Sequence, residues 1–75
     1  MNYTKQEEIF IELTRSNIDH FNSTYNGNLD VEYYVDNGNV ARITEEGKTV
    51  MDLLTVEAAF YAVAGIVRFH QVKGV

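Results

Sequence analysis

The chain has 75 residues, eleven Asp and Glu against six Lys and Arg for a net charge of −5, and no cysteine, proline or tryptophan. That length makes one domain, residues 1–75, with a core so small that disulfides, a metal or self-association commonly supply the missing stability. Without cysteine there is no disulfide framework, thiolate nucleophile or thiolate metal site, and the acidic balance argues against direct nucleic-acid binding, which draws on basic patches.

The six basic residues, Lys5, Arg15, Arg42, Lys48, Arg68 and Lys73, are scattered, with no two adjacent. The lack of cysteine fits a reducing compartment, so a cytoplasmic location is expected. The bias towards Asn, Tyr, Ile and Glu reads as an AT-rich bacterial or phage coding sequence. The first twenty residues hold Glu7, Glu8, Glu12 and Asp19 and no apolar core, so no secretory signal is expected there.

Residues 1–3 are expected to fray. Thr4 followed by Glu7 matches a capping box, and Glu7 and Glu8 favour the positive end of a helix dipole, so the first helix starts at Lys5. Ile9, Leu13, His20 and Phe21 recur at helical spacing with Ser16 and Asn17. Phe10, Ile18 and Tyr25 widen this apolar side, while Glu8, Glu12, Arg15 and Asp19 fall mainly opposite. Residues 22–28 end the helix, with Gly27 supplying the left-handed conformation.

Residues 29–35 alternate: Leu29, Val31, Tyr33 and Val35 point one way, Asp30, Glu32 and Tyr34 the other. Asp36-Asn37-Gly38 reads as a three-residue hairpin loop with Gly38 left-handed. It pairs Val35 with Asn39, Tyr33 with Ala41 and Val31 with Ile43, and sets Glu32 against Arg42 on the second face. Glu45-Glu46-Gly47 repeats the loop and predicts a third strand, Lys48–Asp52, with Thr49 and Met51 on the apolar face. The competing reading starts the last helix as early as Thr49. With the third strand, Asp52 or Thr55 caps the long helix.

From Ala58 to Val67 no residue is charged. The alanines and the length predict a helix. At 3.6 residues per turn, Val56, Phe60, Val63 and Val67 form one face, and Ala58, Ala62, Gly65 and Phe69 another. Such a helix should be buried on most sides. Its small stripe admits a close backbone, either from the first helix or from the same helix of a second copy. It is too short to span a membrane, being bounded by Asp52, Glu57 and Arg68. Arg68, His70 and Lys73 lie at its C-terminal end, where the dipole favours cations, and Gly74 closes the chain.

The expected fold class is therefore α+β: a two-layer arrangement of helix, three-stranded antiparallel meander and helix, αβββα. This order is also that of the double-stranded-RNA-binding fold, but the basic cluster expected at the start of the second helix is absent; Asp52 and Glu57 stand there instead.

Chemistry-bearing motifs fail one by one. His20 and His70 lack metal-ligand spacing, and Asp19 and His20, adjacent in a helix, diverge. Gly47-Lys48-Thr49 is the tail of a phosphate loop whose upstream glycine is replaced by Arg42. Asn2-Tyr3-Thr4 and Asn22-Ser23-Thr24 match the glycosylation triplet only. Glu57, before the apolar run, is either an interface carboxylate facing Arg68 or Arg42, or an ordinary first-turn acid. No catalytic, metal or cofactor residue is assigned. The expected function is a non-catalytic protein-interaction module, a homo-oligomer and first of all a dimer. Its interface is expected at Ala58, Phe60, Tyr61, Ala62, Gly65, Ile66 and Phe69. The alternative is an acidic inhibitor that imitates nucleic acid, with Asp30, Glu32, Glu45, Glu46 and the carboxylates of the first helix as phosphate surrogates for a basic host protein. Neither nucleic acid nor membrane is an expected partner.

Overall fold

The structure, a computed structural model, describes residues 2–73, with the Lys73 side chain outside the described set. Helix α1 spans Lys5–Tyr25, strands β1, β2 and β3 span Leu29–Val35, Asn39–Glu45 and Lys48–Thr55, and helix α2 spans Val56–Lys73. The strands form one antiparallel sheet in the order β1-β2-β3. Both helices pack on the same sheet face, α1 towards β1 and α2 over β2 and β3. The αβββα architecture is the one expected.

Helix α1 starts where the capping box places it. The Glu7 N–H donates to Thr4 Oγ1 at 3.0 Å, and the Thr4 N–H to Glu7 Oε1 at 2.9 Å. Residues 2 and 3 do not fray as expected: the Asn39 amide donates to the Asn2 carbonyl at 2.9 Å, and the Tyr3 ring meets Tyr33 edge-on. The buried face of α1 is Thr14, Ile18 and Phe21, whereas Ile9 and Leu13 are exposed. The apolar stripe is thus rotated from the expected one. Thr14 can occupy the core because its hydroxyl donates back to the Phe10 carbonyl at 2.6 Å.

The helix ends through Asn26, at φ 53°, rather than through Gly27. Asn tolerates that region through its short polar side chain. Gly27 is needed for space, because a Cβ there would lie 2.5 Å from the Phe21 ring.

The first hairpin has the expected register throughout, from Val35 opposite Asn39 to Val31 opposite Ile43, with Glu32 opposite Arg42. The second differs. Its turn is two residues, Glu46 and Gly47, both at positive φ, and it pairs Glu45 with Lys48. Strand β3 runs on to Thr55 and bulges twice. Met51 opposes Ile43 as expected, but Thr49 opposes Thr44 and is exposed, because Val50 is an extra residue between them. Asp52 and Leu53 together oppose Arg42.

The core joins Ile18 and Phe21 of α1, Leu29, Val31, Ala41 and Ile43 of the sheet, and Ala59, Val63 and Val67 of α2. The helices run parallel: Phe10 meets Phe60 at 5.3 Å between ring centres, and Phe21 meets His70 at 4.9 Å. Among the described residues no helix is long and apolar enough to cross a membrane.

Candidate functional site

Helix α2 begins where Thr55 Oγ1 accepts the Ala58 N–H at 3.0 Å, so Thr55 is its cap. Asp52, the other expected cap, is engaged elsewhere. Val56, Ala59, Val63 and Val67 form the buried face. The opposite face, half a turn away, carries Ala58, Tyr61, Gly65, Phe69 and Val72. Tyr61 is 61% exposed, Phe69 59% and Val72 72%. The helix is therefore not buried on most sides by its own chain.

The small stripe is not where α1 packs. Helix α1 meets α2 along the flank that carries Phe60 and Ala64, with Phe10 on Phe60 and Asn17 beside Ala64 and Val67. A Cβ built on Gly65 meets nothing within 4 Å. A glycine inside a helix costs about 1 kcal/mol against alanine, and the packing of this chain gives no reason for it.

On the other flank, an apolar groove of about 440 Å³ runs between α2 and β3. Ala62, Gly65, Ile66 and Phe69 line it with Val50 and Met51, and Glu45 and His70 complete the lining. Of the residues expected at an interface, Ala58, Tyr61, Gly65 and Phe69 sit on the outer face and Ala62 at its edge. Phe60 and Ile66 are partly buried, Phe60 against Phe10 and Ile66 against the core cluster. Val72, one turn beyond Phe69, continues the stripe, and Ile9 and Leu13 add apolar surface on α1. The spacing of Val72 signals its place; nothing in the sequence marks Val50, whose position follows from the bulge.

The sheet's far face holds a polar cluster that sequence reasoning missed. The Tyr34 hydroxyl donates to Asp52 Oδ1, Arg42 Nε donates to Asp52 Oδ2 at 3.1 Å, and the Leu53 N–H donates to Asp52 Oδ1 at 2.7 Å. The Arg42 guanidinium also lies 5.0 Å from the Tyr34 ring centre. Hydrogen bonds from Tyr34 and the Leu53 N–H hold the Asp52 carboxyl below its ordinary pKa. The same Tyr34–Asp52 bond pushes the Tyr34 phenol up. This clamp fixes Leu53 at φ 55°, a left-handed conformation rare for leucine, with 63% of the residue exposed.

Both sheet edges are blunted. The Asp36 N–H donates to the Gly38 carbonyl and the Glu46 N–H to the Asn28 carbonyl. These bonds set the ladder's phase and turn the N–H groups of Leu29, Val31, Tyr33 and Val35 to the open edge of β1. There the Asn22 amide takes both backbone groups of Leu29, accepting its N–H at 2.8 Å and donating to its carbonyl at 2.9 Å. The Asp30 carboxylate takes the Val31 N–H, and Arg15 reaches over to Asp30 at 3.3 Å. The opposite edge is β3 with its two bulges.

His20 is exposed, and His70 packs edge-on against Phe21 and Phe69. Glu57 is exposed in the first turn of α2 and, among the described residues, pairs with neither Arg68 nor Arg42. Among the described residues no three His, Asp or Glu side chains converge as metal ligands. The Lys73 side chain and Gly74 lie outside the described residues. Compared with protein-family models, curated proteins and solved structures, the chain matches none.

Proposed function

We propose that this protein is a small, non-catalytic interaction module that works as a homodimer in the cytoplasm, assembled through the outer face of α2. The observation that carries this reading is the uncovered apolar face centred on Gly65, where the single chain leaves open space. The exposed parts of Tyr61 and Phe69 alone leave on the order of 250 Å² of aromatic side chain in water. Gly65 and Val72 extend this face along α2, and contiguous apolar surface of several hundred Å² marks interaction sites. The blunted edges of β1 and β3 disfavour sheet-to-sheet growth, which leaves the helical layer as the surface for assembly.

The acidic-inhibitor reading has less support. Two of its sheet carboxylates face cations of the same chain: Asp30 meets Arg15 at 3.3 Å, and Glu32 lies 4.0 Å from Arg42.

Light scattering over a dilution series tests the proposal. The natural chain should show twice the monomer mass at high concentration, and Gly65→Arg should stay monomeric with an unchanged far-ultraviolet circular dichroism spectrum. A Gly65→Arg protein that assembles like the natural one would refute the assignment of this face.

A further inference from the structure

We infer, resting on the homodimer reading above, that the two α2 helices meet antiparallel and cross at Gly65. The argument comes from the difference between the two flanks of the stripe. The flank towards α1 carries the charges of Glu57 and Arg68, which border the clefts between the helices beside Phe10 and Asn17 respectively. Both side chains are exposed, and among the described residues neither has an ion-pair partner. The flank towards β3 is the groove over Ala62 and Ile66, mostly apolar, with Glu45 and His70 also in its lining.

A symmetric dimer has two ways to place this face on its copy. A two-fold axis parallel to the helices keeps their direction, but sets each charged flank against the other copy's apolar groove. It also brings Arg68 level with Arg68 of the second copy, and Glu57 level with Glu57. A two-fold axis across the helices reverses their direction and leaves each flank on its own side. Groove then meets groove and charged flank meets charged flank.

In that second arrangement, residues equidistant from Gly65 come level. Tyr61, one turn before Gly65, meets Phe69 of the second copy, one turn after it. The two rings lean to opposite sides of the stripe, so each fills the side the other leaves, and the glycines let the backbones close between them. Arg68, three residues after Gly65, comes level with Ala62 of the second copy and beside its Tyr61, where a guanidinium can lie over the ring. From there its long side chain reaches one turn further, to Glu57 of that copy. The face is thus complementary to itself in shape and charge, which is why a second copy, rather than a foreign partner, is its occupant. Opposed helix dipoles favour the same direction.

The test is a charge reversal read as the dimer dissociation constant from a dilution series. Arg68→Glu and Glu57→Lys should each weaken the dimer about three- to five-fold, the usual worth of an exposed ion pair. The double variant, Arg68→Glu with Glu57→Lys, should recover most of that loss. A parallel dimer sets position 68 level with position 68 on opposite flanks, so Arg68→Glu exchanges one pair of like charges for another and leaves the dissociation constant unchanged. A dimer that Arg68→Glu tightens or leaves unchanged therefore overturns the antiparallel crossing while sparing the homodimer. A natural chain that remains monomeric at every concentration overturns both.

Discussion

At the scale of single residues, Leu53 holds a conformation rare for its residue type. A left-handed leucine costs about 1–2 kcal/mol, and Asp52 offsets this by binding the Leu53 N–H at 2.7 Å. Leu53→Gly should therefore raise the free energy of unfolding by about 1 kcal/mol in urea denaturation; a loss would mean that the exposed side chain contributes packing. The Asp52 clamp also sets a pH window. A carboxyl with a depressed folded pKa adds stability that is present above its unfolded value, near 4, and is lost as pH falls through the lower folded value. The Tyr34 phenol, shifted upward, adds stability below its unfolded value near 10 that is lost as pH rises through the folded one. Tyr34→Phe removes the larger cause of the Asp52 shift, so the carboxyl carbon of Asp52, followed by NMR, should titrate at a higher pH in that variant.

Residue-level chemistry also decided what could be read before the fold was known. The start of α1 and the register of the first hairpin were legible because each follows from a local pattern, Thr4 with Glu7 and Asp36-Asn37-Gly38. The facing of α1 was not. Ile9 and Leu13 look like core residues, while Thr14, which is buried, looks like surface. The hydroxyl bond to the Phe10 carbonyl is available in any helix, so it permits Thr14 inside, but only tertiary packing decides that this face of α1 turns inward. The end of β3 was equally hidden, since nothing about Leu53 announces a bulge. The outer stripe of α2 was legible as a spacing of small residues, but that spacing did not say whether α1 would fill it.

At the scale of elements, the edge of β1 depends on α1. The Asn22 amide imitates a neighbouring strand at Leu29. Asn22→Ala would leave two partly buried backbone groups unsatisfied and should cost about 1–3 kcal/mol of stability by chemical denaturation. It should also make the protein more prone to aggregate on heating, because an opened strand edge recruits other chains. A variant as stable as the natural chain would show that water replaces the amide without loss.

For the whole molecule, the proposed homodimer gives Gly65 opposite roles in the free chain and in the assembly. With open space above it, Gly65→Ala should stabilise the diluted monomer by about 1 kcal/mol. In the dimer the added methyl groups hold the backbones apart, so the same change should weaken association. Thermal melts at low and high concentration would then shift in opposite directions, and a uniform rise would show that nothing packs against this position.

The parallel course of the two helices has a consequence for how the chain acquires its structure. Phe10 finds Phe60, and Phe21 finds His70, some fifty positions along the sequence. The hairpin turns join near neighbours. Closing the longer loop carries the greater entropic cost, so the meander can form early, with the helices docking afterwards on a sheet already in place. Substitutions at the helix contact, such as Phe10→Ala, should therefore act mainly by accelerating unfolding, whereas substitutions that loosen the Asp36–Gly38 turn should retard folding. During synthesis, α1 leaves the ribosome well before α2, so Phe10 waits in water until the final helix brings Phe60 to it.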